Sequence, residues 1–128
     1  NLTLSDTFGL KDKRNKLINI LRLNYKKNRV TKIVSRNLYM NLLNVIDVEN
    51  AIDLILERNY KSGTYILENN KIFKVIDLIN NINKNRKKIK VKWLSNKILK
   101  EKTYKFTVLK NWKPINSNIE DIVKIITN

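Results

Sequence analysis

The sequence has no cysteine and no histidine. The first absence excludes disulfides and thiolate-ligated zinc. The second excludes every triad, zinc site or acid–base pair that needs an imidazole. Glycine occurs twice and proline once, too few for the turn-rich chain of a many-stranded sandwich. No apolar run approaches the ~20 residues that cross a bilayer. No segment has the charged–apolar–small order of a signal peptide. The expectation is a soluble, cytoplasmic protein with no membrane partner.

Acidic residues are also scarce: 11 Asp and Glu face 27 Lys and Arg, for a net charge of +16. Taken bare, that charge points to nucleic acid or an anionic surface. Lys, Asn and Ile are overused together, however, as in AT-rich coding, and composition of that origin says little about partners. The cations are spread along the chain, with local clusters only at 11–16 and 85–88. The expectation is therefore no nucleic-acid partner. A positive field equally favours small substrates that carry phosphate.

Hydrophobic residues make up 42% of the 128, enough for one core and one domain over residues 1–128. Residues 2–9 read as a strand running into a turn at Gly9. A strand placed there needs neighbours to satisfy its backbone, which leads us to expect the back part of a larger protein. Apolar spacing predicts a helix over 15–27, strands at 30–34 and 42–46, and a helix after Asp47, which is expected to cap it. A strand is expected at 63–67, then a turn and cap at Asn69-Asn70, and a helix carrying Val75, Ile76, Ile79 and Ile82. Ile89, Val91 and Trp93 alternate with lysines as in a half-buried strand. The stretch 95–110 has no readable period. Ser117 to Glu120 reads as a capping box before a last helix with Ile119, Ile122, Val123 and Ile126 on one face. The fold class is mixed α/β, with short strands alternating with helices.

These landmarks, in this order, resemble a known family. Leu4-Ser5-Asp6-Thr7-Phe8-Gly9 is similar to the strand and turn "LRLSDTYG" of extended short-chain dehydrogenases/reductases, the NAD-dependent epimerase/dehydratase family. Lys16-Leu17-Ile18 resembles the segment that follows it. Asn44 to Val48 with Ala51-Ile52 resembles the family's "hVdDva.Ai" helix start. Gly63 to Leu67 resembles its "GtYnlg" strand, and Trp112-Lys113-Pro114 with Ile119 to Ile122 its closing segment. The match spans nearly the whole chain.

The resemblance implies the C-terminal, substrate-binding part of an extended Rossmann-fold dehydrogenase, including the last strands of its Rossmann domain. The complete enzyme would use NAD or NADP to epimerise, dehydrate or reduce a nucleotide sugar, of the CDP- or dTDP-linked kind, for surface polysaccharide (O-antigen) synthesis. The family's Gly-rich loop is missing, and none of the five tyrosines has Lys four residues on, so its Tyr-x-x-x-Lys is missing too. No catalytic residue and no metal site is therefore expected in this chain, which alone should be inactive and bind no cofactor. The N-terminal Rossmann domain of the same polypeptide is the expected partner, with a homodimer as a further expectation.

By resemblance, Leu4 and Ser5 lie near the nicotinamide. Asp6, Thr7, Lys16 and Leu17 lie toward the nucleotide sugar. Asp6 is read equally as a turn residue, and Leu4 as strand core. Relatives carry an Arg where this chain has Met40. Met cannot make a bidentate grip on phosphate, so either Arg36 or Lys32 takes its place or this chain grips phosphate elsewhere. Lys100 stands near a second family Arg, with Glu101 beside it. Trp93 and Trp112 are read as core anchors. The rival readings are a basic nucleic-acid-binding module and a free-standing interaction module, both without catalysis.

Overall fold

The computed structural model describes residues 1–102 and 105–128; Tyr104, one of the five tyrosines considered above, lies outside them. The predicted first strand is extended as expected, but it changes partners at Ser5. Strand β1 (Leu2–Leu4) pairs in parallel with β6 (Tyr65–Leu67), Thr3 opposite Ile66. Strand β2 (Asp6–Phe8) pairs in parallel with β5 (Leu42–Asn44), Thr7 opposite Leu43. β9 (Thr107–Val108) completes a three-stranded sheet in the order β1-β6-β9. β3 (Val30–Ile33) pairs in parallel with β8 (Lys90–Trp93), Val30 opposite Lys90. β4 (Tyr39–Met40) and β7 (Phe73–Lys74) form a short antiparallel pair.

The helices follow the apolar spacing. α1 (Leu17–Lys26) buries Ile18, Leu21 and Tyr25, and ends where Asn28 takes the left-handed conformation, φ 55°. That is a conformation asparagine tolerates. α3 (Val75–Ile82) buries Val75, Leu78, Ile79 and Ile82, and α4 (Ile119–Thr127) buries Ile122 and Ile126. α4 packs on both α1 and α3. These three helices, with Phe8, Ile33, Met40, Leu42 and Ile89, make the larger core. Each fully buried Leu or Ile stabilises such a core by about 1.5–3 kcal/mol. A smaller core under α2 (Val45–Glu57) holds Leu43, Ala51, Leu67 and Leu109, with Trp112 packed against it. Trp112 is thus an anchor, as expected, and Trp93 packs against the larger core.

Three capping expectations are corrected. Asn44, not Asp47, caps α2: its Oδ1 accepts from the Ile46 amide at 3.1 Å. Asp47 lies within the first turn, where its carboxylate accepts from the amides of Ile115 and Asn116, from Asn116 Nδ2 and from the Ser117 hydroxyl. Ser117 is engaged there and is buried, so the cap of α4 falls one residue later. Asn118 Oδ1 accepts from the Asp121 amide at 3.0 Å. At Asn69 the expected turn forms, with Oδ1 accepting from the Lys71 amide at 3.1 Å. α3, however, starts after Lys74 with no side-chain cap.

Candidate functional site

The carboxyl ends of β1 and β6 open into a cleft of about 560 Å³. In open α/β sheets this is where ligands are received. Its floor comes from Thr3, Leu4 and Ile66, and the run Leu4–Ser5–Asp6 turns past its edge as the chain leaves β1 for β2. Tyr39 and Asn41 line it from the side, and Lys100, Glu101 and Lys102 border it from the long connection before β9.

The polar groups in this cleft are of both signs. Lys100 Nζ lies 5.3 Å from the centre of the Tyr39 ring, and Lys74 Nζ lies 5.2 Å from it. Two ammonium groups therefore share the field of one aromatic ring. Glu68 and Glu101 add carboxylates. The Glu101 carboxyl is pushed up from its ordinary value, first by loss of water around it. A hydrogen bond from the Asn41 backbone pulls it the other way, and the neighbouring Asp6 carboxylate adds to the rise. Asn41 is itself fixed: its amide side chain donates to the Asn69 carbonyl at 2.8 Å and accepts from the Asn69 amide at 2.8 Å. The buried Asn69 side chain in turn donates to the carbonyls of Leu42 and Ser117. One asparagine pair thus ties the cleft wall to the lead-in of α4.

The residues singled out in the sequence fall into three places. Leu4, Ser5, Asp6 and Lys100 line the cleft. Thr7, Lys16 and Leu17 line a much smaller cavity next to it, where Asp6 also reaches. There Lys16 Nζ pairs with the Asp6 carboxylate, so Asp6, read above equally as a turn residue, is held by an ion pair. Arg14 Nη2 donates to the Thr7 hydroxyl at 3.0 Å and bridges to Asp12. The Arg14 side chain holds the Asp12 carboxyl down at about 2, and Asp12 raises the guanidinium in return. Arg36 stands outside both cavities, its guanidinium 6.0 Å from the centre of the Trp93 ring. Lys32 is likewise outside them, and Met40 is buried in the core. Tyr39, Asn41 and Glu68 were not legible in the sequence. No spacing marks them, and only tertiary pairing brings them to β1.

A dinucleotide needs a glycine-lined approach to its pyrophosphate at a helix N-terminus. This chain does not supply one. Gly9 makes room for packing instead: a Cβ there would meet Val45 Cγ2 at 2.7 Å. Ser5 offers one feature suited to an edge contact, a buried hydroxyl with no partner among the described residues. The residues present fit at most one flank of such a cofactor and not its phosphates. Among the described residues no acid cluster could hold a metal ion.

No family model and no curated protein matches the chain. Solved structures do. A dTDP-glucose 4,6-dehydratase from Bacillus anthracis, in complex with NAD, matches with TM-score 0.69 and 17% identity, over 97% of this chain and 43% of that one. A UDP-glucose 4-epimerase from Bifidobacterium longum, in complex with NAD+ and UDP, matches with TM-score 0.73 and 12% identity, over 98% of this chain and 45% of that one. A UDP-glucuronic acid 4-epimerase from Bacillus cereus, in complex with UDP-glucuronic acid and NAD, gives 0.73 and 11%, over 98% and 44%. The chain spans less than half the length of these structures, and at such identities the likeness is one of fold. The chain has the mixed α/β fold of the C-terminal part of extended Rossmann-fold short-chain dehydrogenases/reductases.

Proposed function

We propose that this chain is the substrate-binding part of an NAD(P)-dependent nucleotide-sugar epimerase, dehydratase or reductase, and that the cleft beside Tyr39 receives the sugar nucleotide. The supporting observation is the make-up of that cleft. Its volume of about 560 Å³ lies within the ~300–1,000 Å³ of small-molecule sites. Lys100 and Lys102 oppose phosphate charge as point charges. Asp6, Glu68 and Glu101 are acceptors for sugar hydroxyls, and Leu4, Ile66 and Ile72 give it an apolar side. The cofactor and the acid–base pair belong, on this reading, to an N-terminal Rossmann domain of the same polypeptide. Ser5 and Leu4 border the nicotinamide side, while Thr7, Lys16 and Leu17 brace Asp6 from behind. The finer reading is a dTDP- or CDP-linked sugar, processed in the cytoplasm for surface polysaccharide by a homodimeric enzyme.

The test is ligand-observed NMR on the full-length protein with UDP-glucose, dTDP-glucose and CDP-glucose. At least one should bind saturably, and Lys100→Ala should weaken it several-fold while Lys113→Ala leaves it unchanged. Failure of all three to bind would overturn the assignment. So would turnover of any of them, with NAD, by residues 1–128 alone.

A further inference from the structure

The cations that look scattered in the sequence are gathered by one strand pairing. Residues 26–36 and 84–97 contain 12 of the 27 Lys and Arg residues and none of the 11 Asp and Glu. β3 lies in the first stretch and β8 in the second, and they pair in parallel from Val30–Lys90 to Ile33–Trp93. The pairing continues beyond the strands, where the Arg36 amide donates to the Ser95 carbonyl and the Ser35 hydroxyl to the Lys97 carbonyl. Residues opposite each other in a parallel pair share a face. Val30 and Lys32 of β3, and Lys90 and Lys92 of β8, therefore stand on one side, and all four are exposed. The inner side carries the buried Thr31 and Ile33.

At the start of this pair the turn after α1 meets the connection before β8. Lys87 Nζ reaches the Lys26 carbonyl at 3.4 Å and the Tyr25 ring at 4.5 Å. Lys26, Lys27 and Arg29 are thus brought beside Arg86, Lys87 and Lys88 at one pole of the face. Among the described residues both ion pairs, Arg14–Asp12 and Lys16–Asp6, lie elsewhere. None of these cations lines the cleft.

Against the expectation of no membrane partner drawn from the sequence, we propose that this face docks on an anionic phospholipid bilayer. A flat basic surface attracts acidic headgroups, each Lys or Arg near the membrane strengthening binding about fivefold. Three apolar side chains are interleaved with the cations: Val30, Val34 and Leu94 are 54%, 51% and 57% exposed. They offer the shallow apolar contact that interfacial binding adds to charge. A single-stranded nucleic acid would want open aromatic platforms, and here Tyr25 is buried and Trp93 half-buried. No helix among the described residues is long and apolar enough to cross a membrane.

The experiment is co-sedimentation of the full-length protein with phosphatidylcholine vesicles, with and without one third phosphatidylglycerol, at about 0.1 M salt, where exposed charges farther apart than ~10 Å are screened. The protein should pellet only with the anionic vesicles. The variant K32Q/K90Q/K92Q should lose on the order of 100-fold in affinity, at about fivefold per charge. The control K61Q/K110Q/K113Q should keep its affinity. A second variant in the connecting turns, R29Q/K88Q, should lose on the order of 25-fold on the same scale and serves if the strand variant melts early by circular dichroism. Equal binding to both vesicles, no binding to either, or parent-like affinity in both face variants would overturn the proposal. So would preferential binding to a 20-mer RNA at the same salt.

Discussion

Removing the Asp47 carboxylate should unlatch the segment 115–117 from the smaller core. Asp47 is 1% exposed, and it accepts from the Ile115 and Asn116 amides, Asn116 Nδ2 and the Ser117 hydroxyl. Its own carbonyl takes the indole N–H of Trp112 at 3.0 Å. All four donors to the carboxylate are neutral, so the charge is held by hydrogen bonds and by the N-terminal end of α2. In Asp47→Ala the Ser117 hydroxyl, 2% exposed, loses its acceptor. The other three donors are part-buried and recover some water. A buried donor left without its acceptor costs about 1–3 kcal/mol, and the three part-buried donors raise the loss to about 3–5 kcal/mol. Asp47→Asn keeps the shape and one acceptor oxygen, and should cost about 1–2 kcal/mol. With a urea slope of about 2 kcal/mol/M, the alanine variant should unfold near 1.5–2.5 M lower in urea by circular dichroism. A double-mutant cycle with Ser117→Ala should give a coupling of about 1–2 kcal/mol. An alanine variant with the parent's midpoint and slope, or a cycle that simply adds, would refute the latch.

Two other perturbations are as direct. Gly9→Ala places a methyl 2.7 Å from Val45 Cγ2, so it should lose about 1–3 kcal/mol in urea, and Val45→Ala in the same chain should restore most of it. If the second change gives no recovery, steric room is not what Gly9 provides. Asp12 should titrate near 2, as Arg14 holds it down, when followed by carboxyl carbon NMR. Its folded value lies below the unfolded one, so its stabilising contribution is present above about pH 4 and is lost as pH falls toward 2. Arg14→Gln should bring the midpoint back toward the ordinary aspartate value, and an unmoved midpoint would count against the pair.

The sequence made the helices legible because their apolar stripes repeat at helical spacing and need no distant partner. Ile79 and Ile82, or Ile122 and Ile126, name their own faces. The alternation of Ile89, Val91 and Trp93 gave β8 for the same reason. The partner change at Ser5 was not legible, since residues 2–8 stay extended throughout and only β5 and β6 decide where each half pairs. Asp47 and Ser117 each carry a good capping signature. Both are drawn off the caps by a bond to one another across 70 residues, leaving Asn44 and Asn118 to cap the helices. In the stretch 95–110, β9 is two residues long, too short to show a period. In the candidate site, Leu4, Ser5, Asp6 and Lys100 could be nominated by their place in a resemblance. Tyr39, Asn41 and Glu68 could not, because they reach the cleft through contacts between segments far apart in sequence: Tyr39 bonds to Leu99, Asn41 to Asn69, and Glu68 follows β6, the partner of β1.

The parallel pairing of β1 with β6 also sets a clock for biosynthesis. Thr3 and its partner Ile66 are 63 residues apart, and ribosomes add about 5–20 residues per second. Leu2 and Leu4 are therefore added to the chain roughly 3–13 s before the strand they pair with has been made. Through that interval β1 lacks the partner that β6 supplies, and its backbone groups on that side stay with water.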